Sequence, residues 1–73
     1  MTLADMPNGT ACTVERVTGE HRLSLRLMEL GFTPGTEVML VKTAPSGDPL
    51  MLRLRGYTLT ISRRDASSIH VRR

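Results

Sequence analysis

Leu23, Leu27 and Leu30 recur at the i, i+4, i+7 spacing that gathers side chains on one face of a helix, while Arg26 and Glu29 lie off that face. The spacing predicts a helix over about residues 22–30. Gly31 stands where a left-handed residue closes a helix without a Cβ penalty, and Phe32 beyond it is placed to fold back onto Leu27. Thr33-Pro34-Gly35-Thr36 then has Pro second and Gly third, the requirement of a type II turn. The chain reverses there and enters a strand at Glu37.

The remaining periodicity is that of strands. Residues 11–17 alternate loosely, with Cys12 and Val14 set against Thr13 and Glu15, between the Pro7-Asn8-Gly9 turn and Gly19. Residues 37–43 have a continuous apolar middle, Val38-Met39-Leu40-Val41, which predicts a strand buried on both faces. Ala44-Pro45-Ser46-Gly47 fits a type I turn, and Pro49 delays the next ladder. In residues 50–55 Leu50, Leu52 and Leu54 share one face, and Met51, Arg53 and Arg55 share the other. Gly56-Tyr57 reads as the centre of a type II′ hairpin leading to a strand over 58–62, with Leu59 and Ile61 inward. Asp65 is expected to cap one helical or 3₁₀ turn within 63–67 before the last strand, 68–71, with Ile69 and Val71 inward. These are the parts of a mainly β fold with one or two short helices, a small SH3-like barrel with a helix inserted between strands 1 and 2.

The run Leu27-Met28-Glu29-Leu30-Gly31-Phe32-Thr33-Pro34-Gly35-Thr36-Glu37-Val38, followed by Ala44-Pro45-Ser46-Gly47-Asp48-Pro49, resembles the FeoA family, the small cytoplasmic component of bacterial ferrous iron transport. Each half alone is a common turn; the ordered pair is specific, and the likeness extends from Met6-Pro7-Asn8-Gly9 to Ser68-Ile69-His70-Val71. The resemblance implies the same SH3-like fold over residues 1–73 as one domain. It also implies a non-enzymatic role as an accessory or regulator of Fe²⁺ uptake, acting on the cytoplasmic parts of the membrane transporter FeoB. Leu27, Leu30, Gly31, Phe32, Pro34, Gly35, Gly47 and Pro49 are assigned to structure. The same barrel resembles the C-terminal domain of DtxR-type metal-dependent repressors, which makes a regulatory domain related to metal sensing the alternative. With no helix-turn-helix segment, DNA recognition of that kind is excluded.

Composition narrows the reading. At 73 residues the chain has room for one core and hides only about 60% of its unfolded surface. One cysteine, Cys12, makes no internal disulfide, and no apolar run approaches the roughly 20 residues of a membrane helix, so a cytoplasmic protein without membrane insertion is expected. The charge of +3 is uneven: residues 1–37 hold three arginines against five carboxylates, and residues 38–73 hold seven cations against two. The basic half reads as a solvated sheet face or a contact for an acidic protein surface; on a β-barrel it also prompts a nucleic-acid reading, as a third alternative, but Phe32 and Tyr57 are the only aromatics and Phe32 serves the helix stop.

Catalysis needs a nucleophile, base or metal in fixed relation. Cys12, His21 and His70 have no partners at diagnostic spacing, so neither a catalytic residue, a metal site nor a cofactor is expected. Met39 and Met51 read as gap-fillers, and Met1 and Met6 as part of a mobile terminus. Leu25 and Met28 differ, because they fall opposite the leucine stripe: if that stripe faces the barrel they stand in solvent, the alternative being that both are tucked under the first loop. With Arg26 they form the expected partner-binding patch, and Asp48 in its Gly-Asp-Pro loop is a further candidate contact.

Overall fold

The computed structural model describes residues Met1–Arg73. Five strands follow one another as β1 (Ala11–Val17), β2 (Glu37–Thr43), β3 (Leu50–Leu54), β4 (Tyr57–Ile61) and β5 (Ile69–Arg72). Helix α1 (His21–Glu29) joins β1 to β2, and the one-turn helix α2 (Arg63–Ala66) joins β4 to β5. The sheet is antiparallel with spatial order β4-β3-β2-β1-β5. It curls around a single apolar cluster to which Cys12, Val14, Val38, Leu40, Leu50, Leu52, Leu54, Ile61, Ile69 and Val71 contribute from its concave face. The SH3-like architecture expected from the strand count and the inserted helix is the one observed.

The helix stop is a complete Schellman motif. Gly31 N–H donates to the Met28 carbonyl at 3.0 Å and Phe32 N–H to the Leu27 carbonyl at 3.1 Å, with Gly31 at φ 115°. Both Leu27 and Phe32 are fully buried. Thr36 N–H closes on the Thr33 carbonyl at 3.0 Å with Gly35 at φ 90°, as the type II turn requires. The chain thus leaves α1 with its direction into β2 set by local bonds.

Four expectations are corrected. β2 is one-faced: Val38 and Leu40 are buried, but Met39 is 37% exposed because no element covers its side of the sheet. The β3–β4 hairpin turns on Arg55-Gly56, at φ 48° and 81°, with Leu54 paired to Tyr57; two positive-φ central residues make it type I′. This register sets buried Leu50 opposite buried Ile61, whereas the Gly56-Tyr57 turn would leave Leu50 facing Arg63. The cap of α2 is Ser62, whose hydroxyl accepts from Asp65 N–H at 3.1 Å, so Asp65 lies inside the helix. Finally, the N-terminus is built into the fold. Leu3–Asp5 form a 3₁₀ turn that buries Leu3 and Met6, with the Asp5 carboxylate accepting from Thr2 N–H at 3.0 Å and Val71 N–H donating to the Met1 carbonyl at 3.0 Å.

Candidate partner-binding face

At 3.6 residues per turn, Leu25 and Met28 point away from the Leu23/Leu27 side of α1. They are 48% and 40% exposed, the pair of adjacent large apolar side chains that the helix leaves outside the core. His21, Arg22 and Glu29 share that outer side, so the apolar pair is rimmed by polar groups. Leu30, expected to close the buried stripe, is instead 36% exposed, because the Schellman stop bends the chain inward only from Gly31 onward.

Two polar links hold the helix. The Arg26 guanidinium meets the Asp65 carboxylate of α2 at 3.2 Å, and the Tyr57 hydroxyl donates to the Leu30 carbonyl, one of the groups that a helix end leaves without an internal partner. The arginine side of the pair is exposed and the Asp65 side half-buried, which limits the pair to about 1 kcal/mol or less. It links α1 to α2. Tyr57 was not legible as part of this face, since only the β3–β4 register brings it beside the end of α1.

Asp48 lies elsewhere. Its Oδ1 accepts from Arg63 N–H at 2.9 Å at the start of α2, and the Ser46 hydroxyl donates to its carbonyl at 3.0 Å. Arg63 Nε donates to the Gly47 carbonyl at 2.7 Å and its Nη1 to the Ala4 carbonyl at 2.6 Å. The structure therefore sets Leu25 and Met28 together on the outer side of α1, turns Arg26 from them toward α2, and ties Asp48 into the junction of the Gly-Asp-Pro loop with α2.

The candidate ligands for catalysis or metal do not converge. Cys12 is buried with its thiol near the Val38 carbonyl at 3.6 Å; burial pushes its pKa up, against the opposing pull of Arg73. His70 Nε2 lies 3.0 Å from the Thr18 hydroxyl, and His21 opens α1 in solvent. No three His, Cys, Asp or Glu side chains are grouped as a metal would need. The shallow polar depression at Pro34, Gly35, Thr36, Glu37 and Arg55 sets a carboxylate beside the guanidinium, which itself donates to the Thr33 and Thr36 hydroxyls at 3.0 Å. No helix is long and apolar enough to cross a membrane.

Fold and face together define a small SH3-like domain whose most distinctive exposed surface is one side of an inserted helix. The chain matches the FeoA domain over residues 1–73 and belongs to the FeoA family of ferrous iron transport proteins. It is 33% identical to the FeoA protein of Chlorobium tepidum, covering 99% of this chain and 69% of that one with a TM-score of 0.90. It is also 33% identical to a zinc-complexed FeoA from Stenotrophomonas maltophilia, described as a prokaryotic SH3 domain protein, covering 97% and 88% with a TM-score of 0.87. A curated relative, a fusion of Fe²⁺ transport protein A with the Fe²⁺ transporter FeoB from Porphyromonas gingivalis, is 32% identical over 71 residues, 97% of this chain. The chain spans 8% of that protein's length. A manganese-dependent transcriptional repressor shares the fold alone, at 14% identity and a TM-score of 0.88.

Proposed function

We propose that this protein is a non-enzymatic accessory of ferrous iron uptake that works by binding the cytoplasmic part of a FeoB-type transporter through the outer face of α1. The observation that carries the reading is the exposed Leu25/Met28 pair on a helix whose position is fixed by its own stop and by Arg26–Asp65. Side chains of this kind cost solubility when left in water and repay it when a partner covers them. The Porphyromonas gingivalis fusion supports the choice of partner, because there a FeoA segment and a FeoB transporter share one polypeptide. Leu25 and Met28 supply apolar contact, Arg22 supplies a cation on the same outer side, and Arg26, turned toward α2, borders the patch while engaged by Asp65. Gly31, Pro34 and Gly35 hold the helix in its presenting position.

The test pairs affinity with stability. The double variant Leu25→Glu, Met28→Glu is expected to melt within a few degrees of the parent, since neither side chain belongs to the core. Its affinity for the purified cytoplasmic region of FeoB, measured by calorimetry, is expected to fall about tenfold or more, as truncation of central apolar contacts does. Undiminished affinity with an unchanged melt removes the helix face from the interface; a collapsed melt shows the pair to be structural.

A further inference from the structure

The two edges of the sheet are treated differently. At β5 the chain's own N-terminus covers the edge, through the Val71 N–H to Met1 carbonyl bond and the Thr2–His70 bridge. At β4 nothing does. The two-residue hairpin makes Leu54–Tyr57, Leu52–Leu59 and Leu50–Ile61 the hydrogen-bonded pairs, so the N–H and C=O groups of Thr58 and Thr60 point outward from the sheet. Neither residue's backbone is engaged by any turn, loop or cap bond. Edge strands are ordinarily blunted by charge, proline or a bulge. β4, with the sequence Tyr-Thr-Leu-Thr-Ile and an unbroken register, carries none of these.

The outer face beside this edge has its own order. Met39, Arg53 and Thr58 form one cross-strand row, and Lys42, Met51 and Thr60 form the next, so two thioethers alternate with two cations behind a rim of two threonines. Neither Lys42 nor Arg53 has a carboxylate within ion-pair distance. At the Lys42 end lies a groove of about 450 Å³ lined by Lys42, Met51, Thr60, Pro45 and Pro49 among others.

We propose that the free edge of β4 is a docking site for an extended, acidic segment of a partner polypeptide, which adds as a sixth strand and sets an apolar side chain into the groove beside Met51. Main-chain bonds to Thr58 and Thr60 provide the attachment, as in other cases of strand addition. The choice of an acidic occupant rests on charge. The two rows beside the edge hold two unpaired cations and no carboxylate; the nearest acid on this face, Glu37 of β2, lies beyond Met39 at the far end, in the depression it shares with Arg55. The added strand lies two strand spacings, about 9.6 Å, from β3. An arginine on β3 and a glutamate on the added strand bridge that gap across the small Thr58 side chain. A second copy of this chain is disfavoured as occupant, because antiparallel pairing of two β4 edges brings two such cationic faces into one continuous sheet. This site does not depend on the α1 face and has a separate test.

A blocked heptapeptide alternating threonine with glutamate, valine and glutamate is titrated into the ¹⁵N-labelled protein. The amides of Thr58 and Thr60 are expected to shift saturably at about millimolar peptide and to exchange their hydrogens about tenfold more slowly. The variant Lys42→Glu, Arg53→Glu, both at exposed positions, is expected to keep its remaining amide shifts and lose the response. A peptide with lysine in place of glutamate is expected to give none, and Leu25→Glu, Met28→Glu to bind as the parent does. Absence of edge shifts at about 5 mM peptide, or shifts confined to α1, overturns the proposal. So does broadening of Thr58 and Thr60 with protein concentration alone, which makes a second copy the occupant.

Discussion

At residue scale the most constrained position is Gly31. Its φ of 115° lies outside what side chains with a Cβ adopt comfortably, and a Cβ built there would sit 3.1 Å from Leu54 Cδ1 and 3.3 Å from Arg55 Cδ. Gly31→Val therefore combines backbone strain with a steric demand on the top of β3. The strain alone costs about 1–2 kcal/mol, and a β-branched residue is the least tolerant of positive φ. A loss of about 2 kcal/mol lowers the melting temperature of a domain this size by roughly 8–16 °C. Thermal melts of Gly31→Val and Gly31→Ala check this, with the valine variant the lower of the two; a valine variant melting with the parent shows that the helix stop tolerates another conformation. This constraint was legible in the sequence because it is local. A leucine stripe ended by glycine and an aromatic residue encodes both Schellman bonds within six residues, Leu27 to Phe32.

Elements were legible to the extent that neighbours in sequence decide them. The placement of α1 was right within one residue at each end, since its apolar spacing and the Gly31-Phe32 stop directly after it are both local. Burial of one face of β2 against exposure of Met39 was not readable, because a run of four apolar residues is the same pattern whether one face is covered or two. The turn at Arg55-Gly56 was missed for a related reason: both candidate hairpins keep leucines inward, and only the opposition of Leu50 to Ile61, eleven residues apart, chooses between them. The same holds for α2. Ser62 continues the alternation of β4, and its role as cap appears only in the bond from Asp65 N–H. Ser62→Ala is expected to cost about 1 kcal/mol, read as a fall of roughly 4–8 °C in the melt, whereas Ser67→Ala, at the exposed C-terminal end of α2, should stay within about 0.5 kcal/mol. Equal melts for Ser62→Ala and the parent would place the cap's contribution below detection and leave α2 held by its packing through Ala66.

At the scale of the whole molecule, one side chain joins parts of the chain that no sequence pattern connects. Arg63 reaches the Gly47 carbonyl in the Gly-Asp-Pro loop and the Ala4 carbonyl in the N-terminal 3₁₀ turn, while its own N–H is held by Asp48. In the sequence it is one of ten cations, in a run that reads as solvated surface. Its partners lie 16 and 59 residues away, and both are backbone carbonyls, which carry no residue-specific signal. The carbonyls are reached by two different nitrogens of one planar fork, a geometry that a lysine ammonium does not reproduce. Hydrogen bonds from a charged donor contribute about 1.5–3 kcal/mol each, and removing the guanidinium also frees the turn that buries Leu3 and Met6. Arg63→Ala is therefore expected to lose about 2 kcal/mol or more and to speed amide exchange at Met6, whose N–H is bonded to the Leu3 carbonyl at 3.2 Å. Arg63→Lys should recover little of this, and Arg64→Ala, at the exposed neighbouring position, should lie within about 0.5 kcal/mol of the parent. If lysine restores the melt in full, a cation alone suffices there and the fork between loop and terminus is not what binds the two ends of the chain together.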